Sequence, residues 1–466
     1  MQNKHWSKDT IFYFLGIGGI GMSALARFFH AKGHIVLGYD RTSTPLTQQL
    51  EQEGIDVTYE DDLLHLPSLI RLTPVEKIWV CYTPAIPQDS LLKQYFLHNE
   101  FPMMKRSVLL GKITEQYHTI AVAGTHGKTT TSSMIAYLLT EVGFKVNAFL
   151  GGISANFQSN LVLADSDWVV VEADEFDRSF LTLTPEWAVV TAVDPDHLDI
   201  YGDAATFEKG FQDFSRKIKT NGHLLVQHGV RTEFDQMAAH TETIRYGITN
   251  EETVGCRAEN IAIAEGNFVF DYKGKIDIDG IVCGLSGRHN VENAVAAITI
   301  ALACGGNPDD IKKAMATFKG VGRRFERVLD ENGVVMIDDY AHHPTELNAA
   351  IDSARMLFPG KKIGGIFQPH LFSRTRDFLD GFVSSLSALD GLILLPIYPA
   401  RELPIPGIDS QLILDKISLL DKKLLEKSEL LEIGIPADWE VVLVLGAGDI
   451  DHLVQPLAAQ IKQRKN

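Results

Sequence analysis

At 466 residues and a formal charge of −17, the chain has room for about three domains and is too acidic to suit nucleic acid as a partner. Its four cysteines, Cys81, Cys256, Cys283 and Cys304, lack zinc or redox spacing, which points to a reducing, cytoplasmic setting. The opening MQNKHWSKDT has no signal-peptide layout and no apolar run approaches ~18 residues, so no membrane association is expected.

Residues 1–108 alternate strand and helix signals. A buried-strand run, Ile11 to Ile17, leads into Gly16, Gly18 and Gly21 of a G-x-G-x-x-G turn, and a helix pattern follows. A second strand, His34 to Tyr39, ends at Asp40. The turn suits a diphosphate on a helix N-terminus, whether of NAD or of a nucleoside-diphosphate sugar, and a plain structural turn also satisfies the pattern. The strand at 77–83 runs into Thr83-Pro-Ala-Ile-Pro87, at the strand end where open α/β sheets place ligands. FPMMKRS (101–107) has no clear period and reads as a linker.

Residues 109–324 hold the chemistry. Ile120 to Ala123 lead into Gly124-Thr-His-Gly-Lys-Thr-Thr130 and then directly into a helix pattern. This is a phosphate cradle for ATP, although only Thr125 and His126 separate Gly124 from the Gly127-Lys128 pair. Backbone N–H groups face the anion, Lys128 reaches the terminal phosphates, and the hydroxyl of Thr129 can ligate Mg²⁺. The strand Trp168-Val-Val-Val ends in Glu172, Asp174 and Glu175, and the strand Trp187 to Val193 ends in Asp194-Pro-Asp-His197-Leu-Asp199. Such hard oxygen ligands suit a metal that bridges ATP phosphates. Asn290 and Asn293, at the start of an alanine-rich helix, are candidates for a base contact or equally for a helix cap. A glycine hinge at 320–326 carries Arg323 and Arg324.

Residues 325–466 are again α/β. Strands at Val334–Ile337, Ile363–Phe367, Leu392–Leu395 and Val441–Leu445 alternate with helices, among them the charged LLDKKLLEKSELL. Strand ends carry DDYAHHP (338–344), QPHLFSRTR (368–376) and YPARE (398–402). An ATP-driven enzyme that joins a nucleotide-linked substrate to a third component fits all three segments. An NAD oxidoreductase leaves the cradle without a purpose, and an ATP-gated binding protein leaves these His and Arg residues without one.

The chain resembles the Mur ligase family over nearly its whole length. The resemblance is carried by FLGIGGIGMS (14–23), AVAGTHGKTTT (121–131), VEADE (171–175), DHLD (196–199), GRHNVENAVAAI (287–298), GVGRRFE (320–326), DDYAHHPTE (338–346) and FQPHLFSRTRDF (367–378). It implies an α/β fold in three domains. These are a Rossmann-like N-terminal domain, a P-loop ATPase-like central domain with a mainly parallel sheet, and a Rossmann-like C-terminal domain. It also implies cytoplasmic peptidoglycan precursor synthesis, in which the lactyl carboxylate of UDP-N-acetylmuramate is activated by ATP as an acyl phosphate. L-Alanine then takes that acyl group; FQPHLFSRTR favours L-alanine over the murein tripeptide used by the recycling ligase of the family.

By the same resemblance Gly16, Gly18, Gly19, Gly21, Ser23, Asp40 and Thr83 meet the UDP-sugar. Gly124, Thr125, His126, Gly127, Lys128, Thr129 and Thr130 hold ATP phosphates, and His289, Asn290, Asn293, Arg324 and Asp339 serve the rest of the nucleotide. Thr129, Glu172 and His197 are implied as ligands of two Mg²⁺ ions, with Lys128, Glu172, His197 and Arg324 as catalytic residues. His343, His370 and Arg374 are implied to position alanine. The carbamoylated lysine of several relatives falls on Phe211 here, and Lys209 faces elsewhere on the helix, so none is expected.

Overall fold

The structure is a computed structural model and describes residues 6–196, 198–400 and 402–464. It forms two compact units. One runs from the start of the described chain to Gly247 and adds 251–256 and 296–314; the other takes 248–250, 257–295 and 315 onward.

The first unit contains two sheets. β1 (Ile11–Leu15), β2 (Ile35–Tyr39), β3 (Asp56–Thr58), β4 (Ile78–Tyr82) and β5 (Met103–Lys105) pair in parallel in the order β3-β2-β1-β4-β5. That doubly wound order has its switch point beside β1, where the glycine turn leaves the sheet. The second sheet contains β6 (His118–Ala123), β7 (Asn147–Ser154), β8 (Ser159–Val162), β9 (Trp168–Glu172), β10 (Trp187–Val190), β11 (His223–Gln227) and β12 (Glu242–Ile248). Their order is β12-β11-β10-β6-β9-β7-β8, parallel except for the β7–β8 hairpin. Strands β6, β9 and β10 are apolar runs because helices cover both faces of a parallel sheet.

The two sheets share a core. Phe28, on the helix Ile20–Ala31, meets Phe149 of β7 at 5.3 Å. Beside it, buried Asn160 of β8 donates to the Ile20 carbonyl at 2.7 Å and accepts from Arg27 at 2.6 Å. These contacts fix the glycine turn relative to the ends of β7 and β9.

The second unit contains an antiparallel group, β13 (Cys256–Ala264), β14 (Asn267–Lys273) and β15 (Ile278–Cys283). Its other sheet contains β16 (Glu326–Glu331), β17 (Val334–Asp339), β18 (Ile363–Phe367), β19 (Gly391–Leu394), β20 (Lys422–Leu424) and β21 (Val441–Leu445). The order is β16-β17-β21-β18-β19-β20, parallel except for the edge strand β16. Among the described residues no helix is long and apolar enough to cross a membrane.

Two expectations need correction. Residues 101–107 are not a linker: they form β5 and the start of the helix Arg106–Thr114. The segment LLDKKLLEKSELL is not one helix, because 422–424 pairs with β19 as β20 and only Lys427–Ile433 is helical. In both cases pairing at a sheet edge outweighs a weak local preference.

Candidate active site

The glycine turn is built around Asp40. Gly16 (φ +86) and Ile17 donate to the Tyr39 carbonyl, and the Gly18 N–H donates to Asp40 Oδ2 at 2.8 Å. A Cβ on Gly18 would lie 2.6 Å from the Thr47 methyl, and one on Gly16 would lie 2.6 Å from the Thr83 methyl. Asp40 therefore shapes the turn itself, while Gly19 caps the helix Ile20–Ala31 and Thr83 stands at the end of β4. Ser23 is fully buried; its hydroxyl donates to the Ile20 carbonyl and accepts from Asn160, so it braces the turn from behind.

The cradle joins β6 to the helix Lys128–Glu141. Gly124 has φ +137, and Gly127, with φ +79, is the N-cap. The Thr125 hydroxyl accepts from the Asp194 N–H at 2.8 Å, and the Thr191 hydroxyl donates to the carbonyls of Ala123 and His126. These bonds pin the loop to the end of β10. Thr129 and Thr130 are almost fully buried.

Lys128 is not a free surface cation. Its Nζ lies 2.8 and 2.9 Å from the two oxygens of Glu175 and donates to the Gly124 carbonyl at 2.6 Å. Burial alone would lower the Lys128 ammonium, but Glu175, Glu172 and Asp174 hold it above its ordinary value. Burial pushes the Glu175 carboxyl up to about 7 against the pull of Lys128. The sequence pattern gave Glu175 no role beyond the acid group; a buried partner for Lys128 leaves no trace in spacing.

Glu172 ends β9 with Oε2 buried and without a hydrogen-bond partner among the described residues. A Cβ on Gly151 of β7 would stand 2.0 Å from that oxygen, so only glycine leaves the space open. An unpartnered buried carboxylate oxygen is a hard donor of the kind that fits a divalent cation such as Mg²⁺. His197 lies outside the described residues. Lys209 is exposed on the helix Ala204–Ser215, whereas Phe211 is fully buried against Phe180.

In the second unit, His289 is partly buried at the start of the helix Arg288–Ala303, and desolvation pushes its imidazole down to about 4. Asn290 donates to the Ser286 carbonyl at 2.6 Å and Asn293 donates to Asn290 at 3.2 Å. The hinge holds Arg323 and Phe325 at φ +60 and +52. Asp339 fastens it: its two oxygens accept from the N–H groups of Phe325 and Ala341, each at 2.7 Å. Arg324 lies over the Tyr340 ring at 4.9 Å and 4.0 Å from Glu346.

His343 caps the helix Pro344–Leu357 and packs on Phe378 at 4.6 Å. Its neighbour His342 instead meets His370, with ring centres 5.9 Å apart, and His370 stacks on Tyr398. Arg374, almost fully buried, places Nη1 3.3 Å from His370 Nδ1. The structure thus brings His370 and Arg374 together with His342 and Tyr398, and makes His343 the helix cap. Two adjacent histidines look alike in a sequence; the helix start decides between them.

Asp338 yields a stability prediction. It is buried, its Oδ1 has no hydrogen-bond partner among the described residues, and Arg323 Nε lies 3.5 Å from its other oxygen. Burial pushes its carboxyl from 3.8 up to about 7, with Arg323 opposing. The native chain keeps this proton longer than the unfolded one, so the group lowers stability progressively as pH rises through that window. Asp338→Asn should exceed the wild type in stability by on the order of 1–3 kcal/mol at pH 8 and show no such gain at pH 4. Urea midpoints at the two pH values check this, and a gap that does not widen with pH refutes it.

Comparison with known proteins agrees with this architecture. Residues 11–118 match the model described as Mur ligase family, catalytic domain; residues 122–301 match the Mur ligase middle domain; residues 323–448 match the Mur ligase, glutamate ligase domain. The chain belongs to the Mur ligase family and is an ATP-dependent amide-forming ligase. It is 49% identical to the UDP-N-acetylmuramate–L-alanine ligase of Parabacteroides distasonis over 97% of each chain. The crystal structure of the UDP-N-acetylmuramate–alanine ligase from Thermotoga maritima matches with TM-score 0.80 at 25% identity, covering 97% of this chain and 99% of that one. A murein peptide ligase from Psychrobacter arcticus shares the fold, with TM-score 0.69 at 22% identity over 98% and 100% of the two chains.

Proposed function

We propose that the chain joins L-alanine to the lactyl carboxylate of UDP-N-acetylmuramate, with ATP cleaved to ADP and phosphate, in cytoplasmic peptidoglycan precursor synthesis. The observation that carries this is 49% identity, over 97% of both chains, to a ligase of that name. Domain limits at 108/109 and 324/325 belong to the same reading.

The residues divide the work as follows. The glycine turn Gly16–Gly21 takes the substrate's diphosphate on a helix N-terminus. The cradle 124–130 takes the ATP phosphates, with Lys128 leaving Glu175 for the transferring group. Thr129 and Glu172, with His197, would hold two Mg²⁺ ions, which when bound neutralise phosphate charge. For the base and ribose the reading keeps His289, Asn290, Asn293 and Asp339, whose internal hydrogen bonds set them in place. The carboxylate oxygen attacks the γ-phosphorus and ADP leaves; the alanine amine then attacks the acyl carbon, and phosphate leaves as the amine gives up its proton.

Phosphate release with UDP-N-acetylmuramate across a panel of amino acids, with the murein tripeptide included, tests the assignment. L-Alanine should be preferred; a preference for tripeptide would favour the recycling reaction instead. Arg374 is the natural partner of the alanine carboxylate. Arg374→Ala should raise the KM for L-alanine about 10–100-fold, the worth of one charge-assisted contact, and leave that for ATP nearly unchanged. Equal rises in both would remove Arg374 from alanine recognition.

A further inference from the structure

Between the glycine turn and the acids that end β9 lies a cleft of about 290 Å³, lined by Gly19, Gly21, Thr83, Arg106, Glu172 and Asp174 among others. Arg106 is the only cation among its described lining residues. It begins the helix Arg106–Thr114 where β5 ends, and β5 runs parallel to β4, so it leaves the sheet at the same edge as Thr83. Three features hold it there. Its Nη2 lies 3.3 Å from Asp174 Oδ2, its one hydrogen-bond partner among the described residues. Asp174 is itself fixed, because its other oxygen accepts from the Phe176 N–H at 3.0 Å. On the opposite side Gly21 makes room: a Cβ there would fall 2.8 Å from Arg106 Nη1. The neighbouring Lys105 anchors the same corner through Asp177 at 2.8 Å.

We infer that Arg106 binds the carboxylate that the substrate brings to the reaction. This rests on the proposed function. Glu172 and Asp174 already place two negative groups on the cleft, so a third enters only beside a fixed cation. A guanidinium has five donors in a planar fork that suits a carboxylate, and one partner leaves most of them for a ligand. The diphosphate has its own receptor in the glycine turn. Arg106 stands further along, on the side of Glu172, where the carboxylate must meet the γ-phosphate. Gly21 thus acts as clearance for the arginine, which explains the third glycine of the fingerprint.

Calorimetric titration with two nucleotide sugars tests this. UDP-N-acetylmuramate carries the lactyl acid; UDP-N-acetylglucosamine is the same molecule without it. Arg106→Ala should weaken the first about 10–100-fold and the second less than about threefold. Arg106→Lys keeps the charge without the planar fork, and should recover part of the muramate affinity with an unchanged melting temperature. Equal weakening of both ligands by Arg106→Ala, or no weakening of the muramate, overturns the inference. A wild-type chain that binds neither sugar nucleotide would instead refute the proposed function on which it rests.

Discussion

Lys128→Ala should lower turnover by on the order of 10²–10³, because it removes a charge aimed at the transferring phosphoryl group. The structure adds a second consequence. The Lys128 side chain is only 13% exposed and its partner Glu175 only 3%. Alanine at 128 takes the cation from a buried carboxyl group, and breaking such a pair from one side costs about 3–5 kcal/mol. The single variant should therefore be both slow and less stable. Adding Glu175→Gln removes the acid's charge as well, so the double variant should regain much of the melting temperature while turnover stays low. Steady-state rates and thermal unfolding of the two variants separate the effects. Turnover that returns together with stability would make Lys128 a structural residue and leave the cradle without its cation.

What the sequence made legible shares one physical character: strong local constraint. The glycines of both turns, the apolar runs of β6 and β9, and the helix directly after Lys128 are each dictated within a few residues by sterics or burial. What it concealed depends on partners distant in the chain. β5 is three residues long and exists because β4 lies beside it. Arg106 sat inside the segment read as a linker, and its place at the cleft depends on Asp174, 68 residues away. Glu175 differs from Glu172 only in what each faces: one meets the ammonium of Lys128, the other the space over Gly151. The split between His342 and His343 is local, yet it turns on which one caps the helix, a choice that pattern alone leaves open.

Gly124→Ala should also damage the cradle severely, although it deletes no chemical group. Gly124 has φ +137, where an L side chain is strained by about 1–3 kcal/mol. Space is the greater obstacle. The new Cβ would fall 2.1 Å from the Thr191 hydroxyl, 2.8 Å from the Ala192 nitrogen and 3.0 Å from the Thr191 nitrogen. The hydroxyl could rotate away, but it would release the carbonyls of Ala123 and His126 that it holds. The backbone nitrogens have no such freedom, because the Thr191 N–H is bonded to the Ala123 carbonyl at 3.0 Å and β10 is in register with β6. The loop must therefore shift by a fraction of an ångström or more, and displacement on the order of 1 Å at a reacting centre costs about 10²-fold. Gly124→Ala should lose at least that much turnover and bind ATP more weakly, with the circular dichroism of the whole chain retained. Thr191→Ala in the same chain relieves one of the three contacts, so it should restore little. Full recovery in that double variant would show that the hydroxyl, not the backbone of β10, sets the width of the cradle.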